Sequence, residues 1–493
     1  MYGYLSEWNS AISANLAPEV SLLSVTGGCF KSIEALLTIQ IESSDAVATR
    51  REDYMVSNKR LAFKFNKLES SKKEKTQAFC VAPWLHAHVD AEGDRRLCCI
   101  SDKAPEAYAK LPWQDFKNSE YMKRIRTQML SNQVPTECSA CETPNRKHVY
   151  RDHLNNEYGS EIPEILKNTE ADGSTSQKIR FLDYRSNLCN LKCRTCTPST
   201  SSANHSFLLK NFNAEKRWLF GDLERSTPKS IMEYYKAVYA VEALELASNE
   251  SIDQIYFAGG EPLLEQGHLL LLKKLSEDKK ASHVSLAYNT NLSYSTRILE
   301  EWLPVASDFK RTQVFISLDG TGEVGEYIRN GLEMNLFNKN LDFLIQNKPQ
   351  RMDLVLDLTL TSLNIFFLKD FAKYALSKGL KTQAKLMVKG AFSFPLLRCE
   401  IIPSAVKHLL LGQWDEYFSD LSENDRQLLA GLNEAMEVFR AAPFDSFRGL
   451  DKALIRLKMF ESIYPDTNSF LGLLKKDPLG SVWCEILEQI EKA

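Results

Sequence analysis

Three cysteines fall within eight residues, "CNLKCRTC" at 189–196, with no histidine beside them. The spacing is C-x3-C-x2-C over Cys189, Cys193 and Cys196. Three thiolates on one tight loop can hold three corners of an iron–sulfur cubane and leave the fourth iron open, whereas a structural zinc takes four protein ligands in a tetrahedron. An open iron invites a small molecule. The competing reading is a zinc site that borrows a distant fourth ligand.

A second set lies upstream: Cys80, then twelve residues to Gly93, four more to Cys98, and later Cys138-x2-Cys141. The glycine permits the turn of a hairpin that returns two strand cysteines to one point, and the C-x2-C turn then closes a four-sulfur site. Four thiolates with such a turn also describe a zinc ribbon. Cys99 is a fifth candidate beside Cys98. His86 and His88 in "WLHAHVD" alternate as on a half-exposed strand or a satisfied core, and are read as such rather than as ligands. Cys29, Cys399 and Cys484 stand alone and read as small buried hydrophobes.

The remaining features define the setting. Eleven cysteines, odd in number and closely paired, are unlike an even disulfide framework and point to metal in a reducing compartment. "MYGYLSEWNS" lacks a basic n-region and a following apolar core, and no stretch is apolar enough for a membrane span. A cytoplasmic protein without a membrane partner is expected. A formal charge of -3 gives no global basic field, which disfavours nucleic acid. At 493 residues the chain exceeds one ordinary core.

Those cysteines need elements to position them. The spacing predicts a helical N-terminal extension over 1–75 and a hairpin-plus-helix region over 76–150, in which "WQDFKNSEYMKRIRTQML" makes one helix. Its core side is Phe116, Met122, Ile125, Met129 and Leu130, and "YMKRIRTQ" is a solvated face. From 175 to 395 six β-rich runs alternate with amphipathic helices: "KIRFLDYRSN", "IDQIYFAGG", "HVSLAYNTN", "TQVFISLDG", "MDLVLDLTLTS" and "KTQAKLMVKG". That alternation predicts an α/β fold, a partial (β/α)6 barrel of the TIM type with chemistry at the C-terminal strand ends. Residues 396–493 read as helical, with Ser422 capping one helix through "SENDRQLLAGLNEAMEVF".

"CNLKCRTC" after a strand resembles the cluster motif of radical S-adenosylmethionine (SAM) enzymes, and further motifs follow in that family's order. "FAGGEPLL" looks like its GGE motif, so the resemblance implies that the backbone at Gly259 and Gly260, with Glu261, meets the methionine amino group of SAM. "NTN" and "ISLDG" are similar to its strand-end contacts with ribose and carboxylate, implying Asn291, Ser317 and Asp319. Arg329 in "EYIRNG" is a further candidate for the carboxylate. Thr195 departs from the pattern, standing where the family often has an aromatic residue packed on adenine. Cys80, Cys98, Cys138 and Cys141 resemble the twitch domain, a short relative of SPASM that holds an auxiliary cluster, here placed ahead of the barrel.

The resemblance implies two [4Fe-4S] clusters and SAM, with a flavodoxin- or ferredoxin-type protein as reductant. The activity implied is reductive SAM cleavage to a 5'-deoxyadenosyl radical that oxidises or modifies a peptide or protein side chain. A small-molecule dehydrogenase acting on a sugar or nucleotide is the alternative. A non-catalytic zinc protein on a decayed barrel is the alternative of another class.

Overall fold

A computed structural model describes residues 78–90, 93–142, 149–212, 240–387, 395–442, 450–464 and 468–492. The extension expected over 1–75 lies outside them. Each of the six β-rich runs forms a strand: β3 (Phe181–Ser186), β4 (Gln254–Gly259), β5 (Ser285–Thr290), β6 (Arg311–Ser317), β7 (Met352–Leu360) and β8 (Lys381–Leu386). They pair in parallel and in sequence order. Two strands precede them, β1 (His86–Val89) and β2 (Arg95–Arg96). The mixed α/β sheet thus has eight strands in the order β2-β1-β3-β4-β5-β6-β7-β8.

The hairpin expected upstream does turn at Gly93, whose φ of 77° suits glycine. It is not a free-standing module, because β1 joins β3 in parallel with His86 opposite Phe181. β2 then pairs antiparallel to β1. Cys80 is not on a strand. It precedes the short helix Ala82–Leu85, in whose first turn Pro83 has no N–H to give to a ladder.

Side chains alternate across each strand, and the two faces differ in chemistry. Leu182, Tyr184, Ile255, Phe257, Leu286, Tyr288, Val314, Ile316, Leu354 and Leu356 are buried on the helix side. Helices Gln266–Glu277, Thr296–Ala306, Met334–Asn347 and Leu368–Ser377 supply the opposing layer. Tyr288 meets Trp302 edge-on at 5.1 Å. Parallel strands in sequence order, joined by crossovers of one hand, put their helices on one side. The other face carries Asp183, Arg185, Tyr256, Asn289, Asp357, Gln383 and Lys385.

That polar face is concave. Asn289 of β5 donates to Asp357 of β7 over 3.3 Å, although backbones two strands apart lie about 9.6 Å from each other in a flat sheet. The open, mostly parallel sheet is therefore consistent with a partial barrel. The helix Ala430–Ala441 lies against β8, and a Cβ at Gly431 would strike the Thr382 carbonyl.

Two helical expectations change. Residues 113–130 form two helices, Trp113–Lys117 and Glu120–Leu130, because Ser119 caps the second by accepting from Met122 N. Phe116, Met122, Ile125 and Met129 are buried, while Leu130 is exposed. The basic face is not fully solvated: Arg126 is buried and donates to the carbonyls of Pro83, Lys117 and Gly173. Burial pushes its guanidinium down to about 9. In the tail, Ser422 caps as expected, but the helix it starts ends at Leu428 and a second runs from Ala430 to Ala441.

His268 on Gln266–Glu277 holds the sheet to its helix layer through Tyr288 Oη at 3.0 Å. Burial pushes this imidazole down to about 3, so it folds neutral. A base with a depressed folded value stabilises the fold above its unfolded pKa of about 6.5, and that contribution is lost as pH falls toward 3. The urea midpoint of the wild type should therefore drop more between pH 6.5 and 4 than that of His268→Gln.

Candidate active site

The cysteine loop begins where β3 ends, and backbone pairing continues past the strands to hold it. Gly260 N donates to Ser186 O and Glu261 N to Leu188 O, each at 2.6 Å. Gly259 has φ of 116°, and a Cβ there would collide with the Ser186 carbonyl; one at Gly260 would collide with that of Leu188. The two glycines let the end of β4 press directly on the chain entering Cys189. Across the loop, Lys192 N donates to Asn330 O and Arg194 N to Ile328 O, both at 2.8 Å.

Between these latter anchors sits Arg329. Its Nε lies 2.9 Å from Asp319 Oδ2, both groups being largely buried. Burial opposes its charge, but Asp319 and then the Cys193 and Cys196 sulfurs raise its pKa. A cation is thereby held beside two of the three thiols. Asp319 Oδ1 accepts from Thr359 N at 2.8 Å, which ties β6's end to β7. Ser317 ends β6 in register with Asp357.

The three sulfurs differ in their surroundings. The Cys193 thiol donates to Cys196, which lowers Cys196 to about 7 and, with burial, pushes Cys193 up. Burial pushes Cys189 up to about 12. Asn291 joins this loop to β5: its Nδ2 donates to Asn190 Oδ1 at 3.1 Å and lies 3.8 Å from Cys189 Sγ.

Glu261 is buried and already committed. Oε1 accepts from Thr290 Oγ1 at 2.9 Å and Leu263 N at 3.2 Å, and Oε2 accepts from Asn291 N at 2.6 Å. Burial pushes its carboxyl up to about 7 despite these donors. Of about four lone-pair sites, one remains for anything else. The fold thus brings together Cys189, Cys193, Cys196, Gly259, Gly260, Glu261, Asn291, Asp319 and Arg329 at the C-terminal ends of β3 to β6.

Other participants were not legible in the sequence. Arg194 is buried with its guanidinium 3.8 Å over the Tyr327 ring and 4.8 Å from that of Tyr464, and it donates to the Tyr327 carbonyl. Tyr327 Oη in turn donates to Glu461 at 2.7 Å. The C-terminal helical region, with no chemistry readable in its sequence, therefore clamps the cysteine loop.

Upstream, Cys80, Cys98, Cys138 and Cys141 line one cavity with Met129, Ile100 and Arg151. Burial pushes Cys80 and Cys138 up to about 12 and Cys98 well above its usual value. Cys98 faces this cavity, whereas Cys99 is exposed. Among the described residues no three cysteine sulfurs lie mutually within 4.8 Å. The set that does meet this limit is His86, His88 and Asp183, all buried, so of the two expected settings the half-exposed strand gives way to the core. Burial pushes His88 down to about 4. For Asp183 burial acts upward, but the neighbouring His88, Arg185 and His86 hold it well below the usual carboxylate range.

The glycine seam is testable. Gly260→Ala should destabilise the protein by about 1–3 kcal/mol and lower its thermal midpoint, because backbone on both sides must shift. Gly412→Ala, within Ser404–Ser419 and with nothing within 4 Å of the added carbon, should leave the midpoint unchanged or raise it.

No family model and no curated protein matches the chain. Among solved structures, SuiB of Streptococcus suis superposes with a TM-score of 0.31 at 15% identity, over 62% of this chain and 57% of that one. The matched region thus spans less than two thirds of that protein. A likeness this loose carries no functional argument. No described helix is long and apolar enough to cross a membrane.

Proposed function

We propose that this chain is a radical SAM enzyme, with residues 175–395 as its catalytic body. The observation that carries the reading is the convergence at one end of four adjacent strands: the chain entering the Cys189–Cys196 loop is bonded to Gly260 and Glu261 on one side, and the loop itself to the residues flanking Arg329 on the other. Cys189, Cys193 and Cys196 would hold a [4Fe-4S] cluster, which would supply the one electron that cleaves the sulfonium of SAM to methionine and a 5'-deoxyadenosyl radical. Gly259 and Gly260 offer backbone where SAM's methionine end would lie. Arg329, kept charged by Asp319, is the cation suited to its carboxylate. Asn291 orients the loop, and its Oδ1, which already accepts from Ser293 N, keeps one lone pair for a ribose hydroxyl.

Three thiols on one loop suit three corners of a cubane whose fourth iron stays open, whereas a tetrahedral structural zinc would need a fourth protein ligand. The shared cavity of Cys80, Cys98, Cys138 and Cys141 likewise supports an auxiliary cluster in the 76–150 region, with Arg151 near to offset its negative charge. Four protein ligands leave no open iron, so electron transfer suits it better than substrate binding.

The concave polar face, with Arg185, Asp357 and Lys385, favours a substrate with both charged and hydrogen-bonding groups, as a peptide or protein side chain has. A flavodoxin or ferredoxin type of protein would supply the electron.

The test is anaerobic purification with iron and sulfide analysis, then dithionite reduction with SAM. About eight irons per chain are expected, with 5'-deoxyadenosine formed by the wild type and abolished in Cys193→Ala. Zinc without iron, or iron with no SAM cleavage, would overturn the reading.

A further inference from the structure

The buried wall formed by β1 and β3 holds a cluster that the cysteine chemistry does not use. His86 and His88 are two apart on β1, so both rings leave the same face. The parallel register sets His86 opposite Phe181 and Ala87 opposite Leu182, which brings His88 level with Asp183. The His86 ring stacks on Phe181 at 4.3 Å and 7°, which fixes its plane. None of the three side chains is more than 2% exposed.

Their convergence is more than an ion pair requires. His88 Nδ1 lies against Asp183 Oδ2, His86 Nε2 is 3.3 Å from the same oxygen, and Arg185 Nη2 is 3.4 Å from it. One carboxylate oxygen offers about two lone pairs, and three nitrogens face this one. If both imidazoles instead present lone pairs, two nitrogens and one oxygen are available together, since one donor atom from each residue lies within 4.8 Å of the others.

We propose that His86, His88 and Asp183 form a mononuclear site for a first-row divalent cation. Two imidazoles and one carboxylate are a borderline donor set, suited to Zn2+, Fe2+ or Co2+ rather than to Ca2+ or Mg2+. Arg185 then serves as the carboxylate's outer partner, fixing its orientation. On the same face the Tyr256 ring lies 5.6 Å from the Arg185 guanidinium. Ligands this deeply buried would take up the ion as the chain folds. The site does not depend on the reading of the cysteine loop.

The experiment is production of the full chain in medium supplemented with Co2+, followed by metal analysis and visible spectroscopy. Wild type should hold about one cobalt per chain more than His88→Ala and Asp183→Asn. That increment should show weak ligand-field bands without the intense sulfur-to-metal charge transfer of thiolate sites, and Cys193→Ala should retain it. Asp183→Asn keeps the side chain's shape, and His86→Gln offers a third variant should His88→Ala fail to fold. Equal cobalt in wild type and in the folded variants, or cobalt seen only with thiolate charge transfer, would overturn the site and leave a hydrogen-bonded Asp–His network. Failure of SAM cleavage would leave this outcome unaffected.

Discussion

The candidate site depends on one close backbone approach, that of Gly259 and Gly260 to residues 186–188. The β3–β4 register runs to Ser186 opposite Gly259, and the next two N–H groups continue it as bonds to Ser186 O and Leu188 O. Nothing with a side chain fits there, since carbonyl oxygens occupy the space a Cβ would need. The cysteine loop therefore leaves the sheet in a direction set by backbone, with Asn291 and the 328–330 segment holding its other sides. The three cysteines share this loop with no disulfide between them.

The sheet's curvature follows from similarly elementary causes. Parallel strands in sequence order place their helices on one side, so the opposite face keeps polar groups that pair across the concavity. Tyr256 donates to Asn289, Asn289 to Asp357, and Lys385 lies 3.2 Å from the same carboxylate. Buried polar groups linked this way rigidify the face they line. The hairpin strand β1 extends this face, and with it come His86 and His88.

Where expectation and structure part, the cause is long-range pairing. Arg126 lies in a basic run that reads as solvated, yet the carbonyls of Pro83, Lys117 and Gly173 meet at its guanidinium from three separate segments. His86 and His88 read as strand alternation or as core histidines, and only β3 shows that Asp183 is what stands alongside them. Tyr464 reaches Arg194 from 270 positions away, in a helical tail whose pattern speaks only of packing. Periodicity reports which face of an element is apolar, and it carries no information on which distant element will cover it.

By itself the sequence determined the alternation that makes six strands, the C-x3-C-x2-C loop after the first of them, the glycines at the end of the next, and the Gly93 turn. These are local properties: side-chain period, steric freedom at positive φ, and ligand spacing within one loop. Tertiary structure alone decided that Glu261 spends its carboxylate on Thr290, Leu263 and Asn291, that Asp319 holds Arg329 beside the thiols, that Cys98 rather than Cys99 faces the upstream cavity, and that the hairpin is built into the main sheet. Apart from the local Glu261–Leu263 bond, each joins segments that the chain itself does not place side by side. Such contacts depend on strand register and on the close packing of whole elements, which no short stretch of residues encodes.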